Sequence, residues 1–328
     1  MNVKNKKKVI LILSSNSDQS TSDVIEYLLS MNENIIRLNY EDGIEIKTTS
    51  LNKNVSDVVF ISKKKEIKIS SIKSFWYRKG ELLSNNKELD CFSGNINWYL
   101  NEEQKATFVY LTYLLDKKSK INYINDGDIN KLIQLDVALK CKLNIPDTLL
   151  TKNRKSCQDF IEKHNNVITK SIQAPFGHSD NKKSYSLMTN IFALSDLEKS
   201  PKTFFITKFQ KQIKKIFELR IFYLAGSFYS MAIFSQNDDK TTVDFRNYNY
   251  ERPNRRVPYS LPINIEAKLK KLMKLLNLNS GSIDMIVDVN HEFYFLEVNP
   301  VGQFGMVSYP CNYNLEEKIA NILSKKNG

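Results

Sequence analysis

Cysteine is scarce: four in 328 residues, and Cys91, Cys141, Cys157 and Cys311 form no CxxC pair. That spacing argues against a disulfide framework and a zinc knuckle, and it suits a reducing, cytoplasmic setting. Ten Gly and eight Pro exclude a collagen-like chain and leave no Pro/Gly-rich linker between segments. Long apolar runs are also missing. Nothing approaches the ~20 residues that span a bilayer, and Val9–Leu13 is too short for a signal h-region, so no membrane partner is expected. Neither GxSxG nor GxxxxGK[ST] occurs, which removes the hydrolase elbow and the P-loop. The three histidines (His164, His178, His291) stand singly and are expected at the surface rather than as metal ligands.

What remains is a composition of 41% hydrophobic and 11% aromatic residues, enough for about two or three compact domains. The formal net charge is +12. Forty of the 48 basic residues are Lys, spread along the chain as a solvated surface would have them. Arg is placed differently: Arg220, Arg246, Arg252, Arg255 and Arg256 fall within one short stretch. In a chain that otherwise uses Lys, clustered Arg fits planar, bidentate recognition of carboxylate or phosphate, or else a basic surface loop. A nucleic-acid partner is one reading of the charge, but it leaves the acidic motifs below unused, and none is expected.

Apolar periodicity predicts strands at 9–14, 35–38, 57–61 and 74–77, with an amphipathic helix ending at Ser30 and a long one over 98–115. A helix over about 130–143 stops before Pro146. Strand (148–151), helix (156–164) and strand (167–170) follow, then strands dominate until helices at 265–276 and 315–323. The fold class is therefore α/β and α+β: an amino-terminal α/β domain (1–118), a small central domain (119–200) and a carboxy-terminal antiparallel-sheet domain (201–328).

The stretch 281–301 reads as two strands about the turn Asn290-His291. A two-residue turn sets Asp288 against Phe293, Ile286 against Phe295, Asp284 against Glu297 and Ser282 against Asn299. Directly opposed carboxylates repel at about 5 Å between Cβ atoms. A hard divalent cation converts that repulsion into attraction, since carboxylate and amide oxygens are what Mg²⁺ prefers; a solvent-facing acidic pair is the bland alternative. The opposite face (Ile283, Met285, Val287 against Val298, Leu296, Tyr294) is apolar and anchors the hairpin. A second hairpin, 217–234, turns at Ala225-Gly226 and puts Glu218 and Arg220 on one face with Phe222 and Leu224. Charges there need partners: each other, or a ribose and a phosphate.

Asp284, Glu297 and Asn299 in Glu-Val-Asn-Pro resemble the magnesium motif of the ATP-grasp ligases. Asn130-Lys131 before Ile145-Pro146-Asp147-Thr148, then Ile168-Thr169-Lys170, Phe209-Gln210-Lys211-Gln212-Ile213 and Glu218-Leu219-Arg220 follow in that family's order. Phe75-Trp76-Tyr77-Arg78-Lys79-Gly80, Val243-Asp244-Phe245-Arg246, Arg256-Val257-Pro258-Tyr259 and 297–310 are similar to the graspetide maturases, the microviridin ligases and grasp-with-spasm enzymes. The resemblance implies an ATP-grasp fold, ATP and Mg²⁺ as cofactors, and an acidic ribosomal precursor peptide as partner. The implied activity joins Asp or Glu carboxylates to Ser or Thr hydroxyls or Lys amines through an acyl-phosphate. It further implies Asp284, Glu297 and Asn299 as metal ligands and Lys131 and Lys170 on phosphates. Gln210, Lys211 and Ile213 fall at the adenine and Glu218 at the ribose. Arg220 is implied at the transferred phosphoryl, and Arg78, Arg246 and Arg256 at the peptide. Lys211 stands where the family usually has an acid, and the loop after Lys170 has one glycine, Gly177. No general base is evident. Members of the family often form homodimers, and that assembly is an expectation here. Two other ATP-using activities fit the same motifs: appending a free amino acid to a carboxylate, and simple phosphotransfer.

Overall fold

A computed structural model describes residues 8–82, 93–123, 129–173, 177–179, 184–186, 189–236 and 254–325. Two compact units make up the chain: 1–128 with 278–280 and 300–328, and 129–277 with 281–299.

The first unit is built on a parallel sheet of β1 (Val9–Ser14), β2 (Asn34–Asn39), β6 (Ile72–Tyr77) and β7 (Ser119–Ile121), in the order β2-β1-β6-β7. Ser119–Ile121 thus joins the first sheet, beyond the boundary expected at 118. The near-continuous apolar run of β1 is what a strand covered on both faces requires. Ile10–Leu13 are fully buried. An antiparallel sheet of β3 (Glu45–Leu51), β4 (Ser56–Ser62) and β5 (Lys65–Lys68) stands beside it. Val58, Phe60 and Ile67 from that sheet enter the same core as Leu11, Phe75 and Tyr77. The helices are α1 (Gln19–Ser30), α2 (Gly94–Asp116), α7 (Gly305–Cys311) and α8 (Leu315–Ser324). The last of these packs on α1, β6 and β7, so the chain's final segment completes the unit its first segment began.

In the second unit, α3 (Lys131–Lys140) precedes β8 (Thr148–Thr151), α4 (Arg154–His164) and β9 (Val167–Thr169). A hairpin of β10 (Gly177–Ser179) and β11 (Ser184–Ser186) follows, then β12 (Asn190–Ile191), α5 (Leu194–Lys199) and β13 (Thr207–Lys211). One four-stranded sheet runs β12-β9-β13-β8, its apolar face closed by Cys157, Ile161, Val167, Leu197 and Phe209. A second, five-stranded sheet runs β16-β15-β14-β17-β18. Its strands are β14 (Lys215–Leu224), β15 (Ser227–Phe234), β16 (Arg255–Tyr259), β17 (Ser280–Asp288) and β18 (Phe293–Asn299). The helix α6 (Ile263–Leu275) contributes buried Leu269, Leu272 and Met273. The turn at Ala225 (φ +46°) and Gly226 (φ +98°) has both central residues left-handed, the turn whose twist suits a two-residue hairpin.

Candidate nucleotide and metal site

Asp284 pairs with Glu297 and Ser282 with Asn299 across β17 and β18. Nearer the turn the register differs from the expected one: Met285 faces Phe295, Ile286 faces Tyr294 and Val287 faces Phe293. The loop is one residue longer than two, with the Asp288 N–H donating to Glu292 O at 3.0 Å and His291 left-handed at φ +61°. That is the three-residue loop with a left-handed closing residue. An extra residue, Leu296, bulges out of β18 between Asp284 and Met285 and restores the register. Phe295, rather than Leu296 or Tyr294, therefore fills the core beside Met285 and Val287.

Each carboxylate meets a cation. Arg220 Nη1 contacts both oxygens of Asp284, and Lys131 Nζ lies 2.8 Å from Glu297 Oε2. Asn299 is exposed at the end of β18. Among the described residues no three His, Cys, Asp or Glu side chains cluster as a metal site. The donors here are instead two carboxylates and an amide on one hairpin face. All three offer oxygen, so the set fits Mg²⁺.

Lys131 opens α3, whose first turn is capped by Asn130 Oδ1 accepting from Leu132 N at 2.9 Å. The helix is fixed to the sheet by Gln134, which sequence reading missed. Its buried amide donates to Val298 O at 2.9 Å and accepts from Val298 N at 2.8 Å. Farther along the same edge, Phe295 N donates to Asn144 O at 2.8 Å. These contacts cover an edge strand that would otherwise be open, and they set Lys131 beside Glu297.

On β13, Lys208 and Gln210 share a face and are 4% and 2% exposed, while Phe209 points into the apolar core. Gln210 donates to Thr148 Oγ1 at 2.8 Å, and its buried Oε1 has no hydrogen-bond partner among the described residues. An acceptor left bare in this way suits a ligand N–H such as an exocyclic amine. Lys211 is exposed and Ile213 half-buried; the Lys211 N–H donates to Asp147 O at 2.9 Å. Lys170 follows β9 and is half-buried. Lys208, unassigned from sequence, feels Lys170, Glu297 and Lys131; burial first, then Lys170, pushes its amine down to about 7.

Glu218 is buried and held by Lys215 Nζ and by Ser235 Oγ at 3.0 Å. Burial raises its carboxyl pKa, and Lys215 opposes that shift. Arg256 faces Ile233, and Ile233 faces Glu218, so all three lie in one row on one face of the sheet. Arg246 and the segment 243–246 lie outside the described residues. In the first unit Arg78 is 3% exposed. It pairs with Asp18 at 3.1 Å and donates to Val301 O and to Gln303 Oε1, the latter at 3.1 Å. Trp76 is likewise buried, 6.3 Å from Phe304 between ring centroids. Gly80, which ends that motif, has φ +84°, and a Cβ there would sit 2.3 Å from Tyr40. His164 corrects the surface expectation: its side chain is 6% exposed, packed edge-on to Phe160 and 3.3 Å from Asp147. His291 is exposed on its turn.

No family model and no curated protein matches the sequence. Among solved structures, the chain is similar to a Chryseobacterium gregarium RiPP-associated ATP-grasp ligase in complex with ADP and a leader and core peptide. The identity is 24%, over 96% of this chain and 95% of that one, with a TM-score of 0.80. It is similar also to the Microcystis aeruginosa macrocyclase MdnC bound with precursor peptide MdnA, at 25% identity, 96% and 99% coverage and TM-score 0.76. For macrocyclase MdnB of the same organism the values are 22%, 97%, 99% and 0.72. The mixed sheets and helices described above are an ATP-grasp fold, and the structures it resembles are RiPP-associated ATP-grasp ligases and macrocyclases.

Proposed function

We propose that this chain is an ATP-dependent peptide macrocyclase acting in the cytoplasm on an acidic ribosomal precursor. The observation that carries the reading is Asp284 opposed to Glu297, with Arg220 and Lys131 beside them. The fold around that pair is shared, over almost the whole chain, with ATP-grasp ligases solved with peptide bound.

Joining a carboxylate to a hydroxyl or amine in water is uphill. In the proposed reaction a peptide Asp or Glu oxygen takes the γ-phosphoryl of ATP, and ADP leaves. The hydroxyl or amine then attacks the acyl carbon, phosphate departs with the C–O bond, and one proton is released. The chain's contribution is positioning and charge. Gln210 Oε1, with the backbone of Lys211 and Ile213, receives the adenine, and Glu218 the ribose. Lys131 and Lys170 hold phosphate oxygens as point charges. Asp284, Glu297 and Asn299 would hold Mg²⁺, which when bound would supply neutralisation of the nucleotide's phosphate charge. Arg220 stabilises the transferred phosphoryl and the developing oxyanion. Arg246 and Arg256 receive the acidic peptide. Arg78, assigned to the peptide by the resemblance, holds Val301 and Gln303 within the first unit.

The test is mass spectrometry of an acidic peptide encoded beside this chain, incubated with it, ATP and Mg²⁺. Loss of one water per closure is expected. A mass gain would mean that a free amino acid or a phosphoryl group is being appended instead.

A further inference from the structure

Two like-charged pairs lie together in the second unit. One is Asp284 and Glu297, paired across strands. For the other, β13 and β9 run antiparallel with Gln210 against Ile168 and Phe209 against Thr169, and Lys208 and Lys170 are the next residues beyond that last pair, each feeling the other's charge. Lys208 is 4% exposed, and on its other side it faces Leu150. Its charged neighbours are Lys170 and Lys131, which repel it, and Glu297, which is already paired with Lys131 at 2.8 Å. Among the described residues Lys208 Nζ has no carboxylate partner of its own. A desolvated ammonium beside two others is costly, and among the described residues only Glu297, shared with Lys131, offsets that cost. An anion would. Lys208 lies two residues from Gln210 on the same strand face, about 7 Å along the strand, and it feels both members of the Lys131–Glu297 pair.

We propose that Lys208 is a third phosphate-binding lysine of this site, contacting the phosphate chain of the nucleotide from the strand that carries Gln210. The inference rests on the nucleotide reading of Lys131 and Lys170 above and adds to it. The depressed basicity of Lys208 agrees, since an anion that neutralises the cluster would restore its proton. The anion is assigned to the nucleotide rather than to a peptide carboxylate because Lys208 shares its strand face with Gln210.

The test is calorimetric titration of the full chain and of Lys208→Met with ADP and Mg²⁺, and separately with adenosine; Lys208→Gln is measured alongside. The proposal expects both variants to bind ADP about tenfold or more weakly, the loss of one charge-assisted contact, with adenosine affinity unchanged. ADP affinity unchanged in either variant, or ADP and adenosine weakened alike, would overturn it. A wild-type chain that binds no ADP would overturn the nucleotide reading as well, so the two failures are distinct.

Discussion

Lys131 of α3 meets Glu297 of β18 at 2.8 Å because Gln134, one turn along the same helix, clasps the backbone of Val298 next to it. The helix and the edge strand are thereby locked in register, and a cation and a metal-ligand candidate are set together by a neutral amide. The pair itself is about one-quarter exposed on each side, so its own contribution to stability is small. Its placement is what matters.

Replacing Gln134 with Ala leaves the buried N–H and C=O of Val298 without partners. The expected cost is about 1–3 kcal/mol, read as a lower urea midpoint. Gln134→Glu still accepts from Val298 N but sets a buried carboxylate oxygen against the carbonyls of Val298 and Ile129, so it should cost at least as much. ADP affinity should drop in Gln134→Ala, since Lys131 loses its fixed position.

Lys215 and Glu218 form a buried pair at 5% and 11% side-chain exposure. Removing one partner of such a pair strands the other, at about 3–5 kcal/mol. Lys215→Met is therefore expected to lower the thermal midpoint strongly, and Lys215→Met with Glu218→Gln to recover part of it. Equal losses in single and double variants would show that the two side chains do not act together.

The pH dependence of stability follows from Lys208. Its folded pKa is depressed from 10.5 to about 7, chiefly by burial. Between those values the unfolded chain binds more protons than the folded one, so this group makes stability rise with pH. Below about pH 7 the full penalty of the buried charge is present. Lys208→Met should thus stabilise the unliganded protein most near about pH 6.5 and least near about pH 10. Denaturant titrations at both values check it; a gain independent of pH would contradict the burial of a charged lysine.

Much of the fold was legible in chain order. The strand 9–14 and the strand 148–151 lie where apolar patterning puts them, and the turn at Ala225-Gly226 is where its residue types require. The pairing of Asp284 with Glu297 was legible too, although two one-residue departures stand behind it. The longer loop shifts the register and the Leu296 bulge shifts it back. Period-two arithmetic is blind to such compensation and so misassigned Phe295. The strands 45–51 and 65–68 escaped notice because they are polar and mostly exposed.

Lys215 was illegible for a different reason. Residues three apart on a regular strand face opposite sides, so alternation alone does not pair it with Glu218. Lys208 was in principle accessible, two residues from Gln210 on one face. Among forty lysines, however, nothing in the sequence separates a buried one from a solvated one. Gln134 carries no charge pattern at all, and its role exists only once α3 lies against β18.

The most direct measurement is the Mg²⁺ dependence of ADP affinity in the wild type, Asp284→Asn and Glu297→Gln. The wild-type chain is expected to bind ADP more tightly when Mg²⁺ is added. Each variant should lose that gain while keeping its metal-free affinity, together with a drop in ring closure of about a hundredfold or more. Variants that keep the full Mg²⁺ response, or that close rings at the wild-type rate, would contradict a divalent ion held between these two carboxylates.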